Sequence, residues 1–463
     1  MSPSVTVTVD VAVIGAGTAG LTAFSELRRQ GLSAVLIDHG PLGTTCARVG
    51  CMPSKAALHA GHQWANLQAV LRGAATPAGA ATPDDLWRHA RKTRDLLAGN
   101  TAKRTRDVAG DRLLMGSARF TDPETVDVGG QSIRARAFIV ATGSRPVVPQ
   151  PLAALGDRLV TTDSLFDLDA LPGSVGMLGL GAIGLEMGLA LSRLGVRVVA
   201  GDMKSLPAGI VDPQIGARAI ERFGKEMTMW LGQPVETVSH QQAIELRSGS
   251  ESAQVDVVLA ALGRRPNVEG LDLQIAGVPL DARGQPVLDA QTLRAGPSSV
   301  FLAGDVSAIR PLMHEAVDEG LIAARAAAQW LGGQPRVDLP ARRTPLAIVF
   351  SDPDIATVGQ AYDTLDLDRI VIGSAQGDAN GRSRVMGAED NVVRLYVDRS
   401  NGCLLGAGIF ATRGEHLAHL LAWAIQGGET VESLLAMPYY HPSIEEMVQS
   451  ALKDASRQLA TSR

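Results

Sequence analysis

One glycine pattern occurs twice in this chain, each time at the end of a short apolar run, and it narrows the possible folds more than any other feature. Residues Val11 to Gly20 read Val-Ala-Val-Ile-Gly15-Ala-Gly17-Thr-Ala-Gly20. They predict a buried strand running into a Gly-x-Gly-x-x-Gly turn, then a helix over Leu21 to Gln30 and a second strand, Ala34 to Ile37, that ends at Asp38. In such a βαβ unit the first glycine makes the tight turn, the second lets backbone approach a pyrophosphate, and the third lets helix pack on strand. The helix N-terminus then offers free N–H groups to phosphate, and the acid after the second strand meets ribose hydroxyls.

The second copy runs from Val175 through Gly179-x-Gly181-x-x-Gly184, with a helix predicted over Leu185 to Leu194 and a strand over Val196 to Ala200 that leads to Asp202. Asp38 follows Gly20 by 18 residues, and Asp202 follows Gly184 by 18. One such turn alone is weak; two in register imply two dinucleotides held by separate domains. A carboxylate at Asp202 favours a free ribose 2′-hydroxyl over a 2′-phosphate, so NAD is expected and NADP is less favoured, with Lys204 close by in sequence.

With 463 residues, 45% hydrophobic and 20% charged, the chain has room for about three domains of ordinary size. A net charge of −5 without a long Lys/Arg run gives no electrostatic footprint for nucleic acid or an anionic membrane. The apolar stretch from Val175 to Leu191 contains Glu186 and five glycines, which suits a buried strand and helix better than a membrane span. MSPSVTVTVD has no basic region followed by an apolar one, so a cytoplasmic location is expected.

Three cysteines are too few for a disulfide scaffold in a chain of this length. Two of them lie in Gly43-Thr-Thr-Cys46-Ala-Arg-Val-Gly-Cys51-Met-Pro-Ser-Lys55. Five residues of regular helix would separate them by about 7.5 Å, beyond disulfide reach. An oxidised pair therefore needs a break in the segment, for which Gly50 supplies freedom, while Pro53 suits the first turn of a following helix. Cys51 would then sit at a helix N-terminus, where the dipole lowers a thiol pKa. Two buried, inert cysteines are the alternative. Cys403, after a turn signal, reads as structural.

These segments together resemble the class I pyridine nucleotide-disulfide oxidoreductases, and among them the dihydrolipoamide dehydrogenases most closely. The cysteine segment is similar to the family's GGTCxxxGCxPSK box, with Thr44 at its second glycine. Ala141-Thr142-Gly143-Ser-Arg-Pro resembles the close of the first flavin-domain segment, and Leu262-Gly263-Arg-Arg-Pro-Asn267 the return from the nucleotide domain. Phe301-Leu-Ala-Gly304-Asp305-Val resembles the segment whose aspartate bonds the flavin ribityl chain, and His441-Pro442-Ser-Ile-Glu-Glu446 the element that supplies the acid/base.

The resemblance implies an α/β fold with two Rossmann-like domains, for FAD and NAD, plus a C-terminal α+β dimerisation domain. Its boundaries are expected at 1–149 and 268–340 for the FAD domain, 150–267 for the NAD(P) domain and 341–463 for the interface domain. Cys46 is implied as the outer sulfur, Cys51 as the sulfur facing the flavin, His441 as acid/base and Glu446 as its orienting carboxylate. Gly15, Gly17, Gly20, Asp38, Lys55, Ala118, Thr142, Gly143 and Asp305 are implied as flavin-side contacts. Gly179, Gly181, Gly184, Glu186, Asp202 and Gly263 belong to the nucleotide side, with Lys55 and Glu186 paired and no metal site. A homodimer follows, in which the histidine acts on the cysteine pair of the other subunit.

The implied substrate is a dithiol/disulfide, a dihydrolipoyl group first, carried on a lipoyl domain of a partner protein. Tyr439-Tyr440 before His441 and Ala47-Arg48 in the cysteine box depart from that branch, which leaves a reductase of another disulfide or metal-linked substrate open. The complete cysteine pair argues against transhydrogenases of the family. Mercury reduction is not expected, because that branch carries an N-terminal metal-binding extension and a C-terminal cysteine pair. A flavin-bearing structural subunit is a third reading, disfavoured because a scaffold needs none of Cys46, Cys51, His441 and Glu446.

Overall fold

A computed structural model describes residues 7–71, 79–333 and 341–461. Two compact units emerge: Met1–Pro53 with Arg91–Val147 and Gly263–Arg342, and Ser54–Ala90 with Val148–Leu262 and Arg343–Arg463.

The first unit is built on a sheet whose core strands are parallel. Val7–Ile14 lies between Ala34–Asp38 and Gln131–Val140, with Leu113–Met115 beyond Ala34–Asp38. The ten-residue strand Gln131–Val140 does two jobs. Its first half pairs antiparallel with Thr125–Val128, and its second half runs parallel to Val300–Leu302, with Val300 opposite Phe138 and Leu302 opposite Val140. The near-continuous apolar runs reflect burial on both faces, as parallel sheets require. On one face Val11, Val13, Phe24, Leu27 and Phe301 form a core with helix Met313–Leu331; on the other, Phe120 packs edge-on to Phe138 at 4.8 Å between centroids.

The second unit contains a five-stranded parallel sheet in the order Thr228–Leu231, Arg197–Asp202, Ser174–Leu178, Val257–Ala260, Leu159–Thr161. A three-stranded antiparallel meander, Glu236–Ser239, Ile244–Ser248 and Glu251–Val255, accompanies it. Residues 346–461 form a five-stranded antiparallel sheet, ordered Leu346–Val349, Asp354–Gly359, Leu404–Ala411, Val392–Asp398, Ile370–Gln376, with helices Gly414–Gly427 and Glu446–Thr461 against it.

The antiparallel sheet is joined to the nucleotide-type core by Phe410 edge-on to Phe223 and by a buried polar knot. In that knot the Asp212 carboxylate caps helix Pro213–Phe223 and accepts from Arg394 Nε at 2.6 Å and Tyr396 Oη at 2.7 Å. Burial and the neighbouring Asp212 push the Tyr396 phenol far above its usual range. Among the described residues no helix is long and apolar enough to cross a membrane; Val175 to Leu191 is the strand Ser174–Leu178 and helix Ala182–Arg193.

Candidate active site

The two glycine turns have the same construction. Gly15 (φ +107°) and Gly179 (φ +92°) adopt the left-handed region, and a Cβ there would lie 2.3 Å from the Ala141 carbonyl oxygen and 2.5 Å from that of Ala261. At Gly20 and Gly184 a Cβ would lie 1.8 and 1.9 Å from the carbonyls of Gly15 and Gly179. At Gly17 and Gly181 it would meet no atom within 4 Å among the described residues. These middle glycines are the N-caps of helices Thr18–Arg29 and Ala182–Arg193, and no side chain caps either helix end. Open space in front of uncapped N–H groups is what a pyrophosphate requires. The helices begin three residues earlier than the apolar pattern predicts, because the last glycine of each turn, Gly20 and Gly184, is itself helical.

Asp38 and Asp202 end their strands in matching ways. Asp38 accepts from the N–H of Ala16 at 2.7 Å and of Gly40 at 2.6 Å; Asp202 accepts from Leu180 at 2.6 Å and Lys204 at 2.8 Å. Each carboxylate thus ties the glycine turn to the loop after the second strand, and keeps lone pairs for ribose hydroxyls. A cavity of about 550 Å³ opens at the strand end beside Asp38, lined by Gly40, Pro41, Leu42, Arg106, Leu113 and Met115. Arg106 and Met115 carry no motif, so the sequence gives no sign of them. Ala118, 7% exposed, begins the strand Ala118–Asp122.

The Ala141-Thr142-Gly143 segment is sewn to the Gly263–Asn267 return. Ser144–Pro146 pairs antiparallel with Arg264–Pro266. Thr142 Oγ1 donates to the Asn267 carbonyl at 2.6 Å, Asn267 Nδ2 donates to the Thr142 carbonyl at 3.0 Å, and Asn267 N–H donates to Gly143 at 2.9 Å. Ser144 Oγ donates to Asp305 at 2.7 Å, so the carboxylate after Gly304 is held at the same seam.

The cysteine segment breaks between Cys46 and Cys51. Thr44 caps a one-turn helix, Thr45–Arg48, which contains Cys46; a new helix, Cys51–Leu71, starts at Cys51 itself. Gly50 is not in the left-handed region. Its role is close approach rather than flexibility: a Cβ there would lie 3.1 Å from the Thr45 carbonyl oxygen and 3.3 Å from the Cα of Cys46. The chain folds back over Cys46 immediately before Cys51, and Cys51 occupies the helix end where the dipole favours a thiolate. Cys403 is half-buried at the turn between two strands of the antiparallel sheet, its N–H donating to Asn401 at 2.8 Å.

In the second unit Lys55 Nζ lies 2.8 Å from both oxygens of Glu186 and 4.6 Å above the Phe350 ring. Glu186, 5% exposed, also accepts from the Phe350 N–H at 3.1 Å, which accounts for a carboxylate inside so apolar a helix. Phe350 has no sequence signal. Separately, His441 Nδ1 lies 3.0 and 3.2 Å from the two Glu446 oxygens, and Glu446 Oε2 accepts from the Ser443 N–H at 3.0 Å. The imidazole and that N–H hold the Glu446 carboxyl below its usual range. His441 Nδ1 is thus occupied, and the ring sits on a side chain 79% exposed, with Nε2 as its remaining ring nitrogen.

The family profile described as pyridine nucleotide-disulphide oxidoreductase matches residues 9–320, and that family's dimerisation domain matches residues 346–452. The dihydrolipoyl dehydrogenase of Thermus scotoductus is 30% identical over 469 residues, covering 97% of this chain and 98% of the relative. Dihydrolipoyl dehydrogenase 3 of Haloarcula marismortui is 29% identical, covering 97% of each. Among solved structures, the HOCl-induced flavoprotein disulfide reductase RclA from Escherichia coli, as its Cu(II) complex, superposes with a TM-score of 0.83 over 96% of this chain and 99% of its own. At 22% identity that likeness shows the fold alone. Paired glycine turns with room for two dinucleotides, a matching domain profile over most of the length and a relative at 30% identity end to end lead to one assignment: the chain belongs to the pyridine nucleotide-disulphide oxidoreductases, flavoenzymes that use FAD and NAD(H).

Proposed function

We propose that the protein oxidises a dihydrolipoyl dithiol with NAD⁺ through a Cys46–Cys51 pair, acting as a homodimer in which His441 of one subunit serves the cysteines of the other. The observation that carries this reading is the fold-back at Gly50, which sets the backbone of Cys46 against the start of the Cys51 helix. The relatives' shared name and the dimerisation-domain match support it.

His441 Nε2 takes a proton from one thiol of the substrate, and Glu446 stabilises the imidazolium that forms. The substrate thiolate attacks Cys46 Sγ; the Cys46–Cys51 bond breaks and its electron pair stays on Cys51. The second substrate thiol, deprotonated in turn, attacks the substrate sulfur bonded to Cys46, which closes the substrate disulfide and releases Cys46 as a thiolate. The dithiol has then lost two electrons and the cysteine pair has gained them. FAD and NAD⁺, when bound, supply the two-electron path that reoxidises the pair. Gly17 and Gly181 leave space for their pyrophosphates, and Asp202 bonds a free ribose and repels a 2′-phosphate.

A second reading, a nucleotide-dependent reductase of another disulfide or metal-linked substrate, draws on Tyr440, 84% exposed beside His441, where a bulky ring would narrow the approach of a lipoyl arm. Steady-state assay separates the two. Production of NADH from dihydrolipoamide and NAD⁺ at tens of turnovers per second supports the first; no turnover with dihydrolipoamide alongside NADH-dependent loss of the Cys46–Cys51 bond supports the second.

A further inference from the structure

The loop that carries His441 and Glu446 is held by a buried polar chain that none of the family's motifs includes. Asn380, 8% exposed, precedes the short helix Gly381–Val385, and its Oδ1 accepts from the Ser383 N–H at 2.8 Å. Its Nδ2 donates to the Ser443 carbonyl at 3.2 Å, 63 residues away in sequence. These two bonds fix which end of the amide is which, and an amide is the group of this size that offers both an acceptor and a donor. Ser383 and Asn391 behind it are fully buried; Asn391 Nδ2 donates to Ser383 Oγ at 3.2 Å, and Ser383 Oγ contacts Met447 Sδ at 3.5 Å.

The loop is therefore gripped at Ser443, between the two members of the acid/base pair. The Ser443 carbonyl is bound to Asn380, and the Ser443 N–H is bound to the same Glu446 oxygen that lies 3.2 Å from His441 Nδ1. Any shift of the Ser443 backbone moves the carboxylate that aims the imidazole. Met447, directly after Glu446, is 0% exposed and touches Ser383, so the start of helix Glu446–Thr461 is fixed by the same cluster. Asn380, Ser383, Asn391 and Met447 are buried, whereas Ser443 itself is half-buried.

We propose that Asn380 is a positioning residue for the acid/base pair, acting through the Ser443 backbone to hold Glu446 where it orients His441; this rests on the role given to His441 above. A displacement of about 1 Å in a catalytic group costs up to about 100-fold in rate, so the effect belongs in kcat rather than in substrate affinity.

The test compares wild type, Asn380→Ser and His441→Gln, each normalised to bound flavin, in steady-state oxidation of dihydrolipoamide by NAD⁺. Serine keeps the helix cap but does not reach Ser443. The expected result for Asn380→Ser is retained flavin, kcat lower by about 10- to 100-fold, and KM for both substrates within about threefold of wild type. Wild-type kcat in Asn380→Ser, with His441→Gln inactive, overturns the positioning role alone. Wild type without turnover, or His441→Gln as fast as wild type, overturns the functional reading itself. If Asn380→Ser loses its flavin, Asn380→Asp, which also keeps the cap and lacks the donor, is read by the same criteria. Lost flavin in both variants marks general destabilisation and overturns the proposal.

Discussion

The two glycine turns are near copies, yet the helices they start carry their buried carboxylates at different distances from the turn. In helix Thr18–Arg29 the buried carboxylate comes late, at Glu26, which accepts from Arg325 of helix Met313–Leu331 at 2.9 Å, while at the helix start Gly320 approaches so closely that a Cβ there would lie 2.5 Å from the Ala19 carbonyl oxygen. Two residues after Gly20 stands Thr22, whose hydroxyl only donates back to Thr18 at 2.8 Å. At the matching position after Gly184 stands Glu186, held by Lys55 and the Phe350 N–H. A second glycine, Gly61, lets helix Cys51–Leu71 approach helix Ala182–Arg193, where a Cβ would lie 2.9 Å from the Ala190 carbonyl oxygen. The shared part of the two units is what a dinucleotide needs. The differing part is where the charged pair sits, close to the second turn at Glu186 and far from the first at Glu26.

The largest expected effect tests the shared part. Gly20→Ala and Gly184→Ala each force a Cβ into a carbonyl oxygen, and both should lose more than about 4 kcal/mol, read as loss of soluble, cooperatively unfolding protein. A variant of either that melts like wild type breaks the equivalence of the two turns. Next come Gly17→Val and Gly181→Val, whose side chains enter open space and leave folding intact. Gly17→Val should purify without flavin absorbance, whereas Gly181→Val should keep its flavin and raise KM for NAD⁺ by roughly 10- to 100-fold, about 1.4–2.8 kcal/mol. The same phenotype in both would show that the units do not serve separate cofactors.

Smaller effects sharpen the difference. Glu186→Gln leaves Lys55 facing a neutral amide and should cost about 1–3 kcal/mol in chemical denaturation, with kcat reduced; Thr22→Ala at the equivalent place should stay within about 0.5 kcal/mol. Equal losses would remove the distinction drawn between the helices. Smallest is Asp202→Ser, expected to improve NADPH relative to NADH by about tenfold while leaving flavin content unchanged. An unchanged nucleotide ratio would mean that the strand-end acid only braces the turn through Leu180 and Lys204.

What could be read in advance follows from how each constraint acts. Gly15, Gly20 and their counterparts answer to steric limits that only glycine meets, and those limits are local, so spacing alone exposes them. A break between Cys46 and Cys51 is likewise a local requirement, within six residues, of any oxidised pair, although the spacing suggests freedom at Gly50 where the fold uses close approach. His441 and Glu446 sit in one short segment and were legible through resemblance. Phe350, Arg106, Asn380 and the Asp212–Arg394–Tyr396 knot were not. Their contacts join residues tens to nearly two hundred positions apart, and an asparagine or arginine in a sequence carries no mark that separates a buried partner from a solvated one.

The redox pair is the centre of the proposed chemistry, and differential alkylation of its thiols reads it directly. Protein is alkylated under denaturing conditions, anaerobically, before and after one equivalent of NADH per chain, and the cysteine peptides are weighed. Label appearing on the Cys46 and Cys51 peptides only after NADH, with Cys403 labelled alike in both samples, is the expected result. Cys46 and Cys51 labelled equally with and without NADH would contradict a nucleotide-linked disulfide at this site.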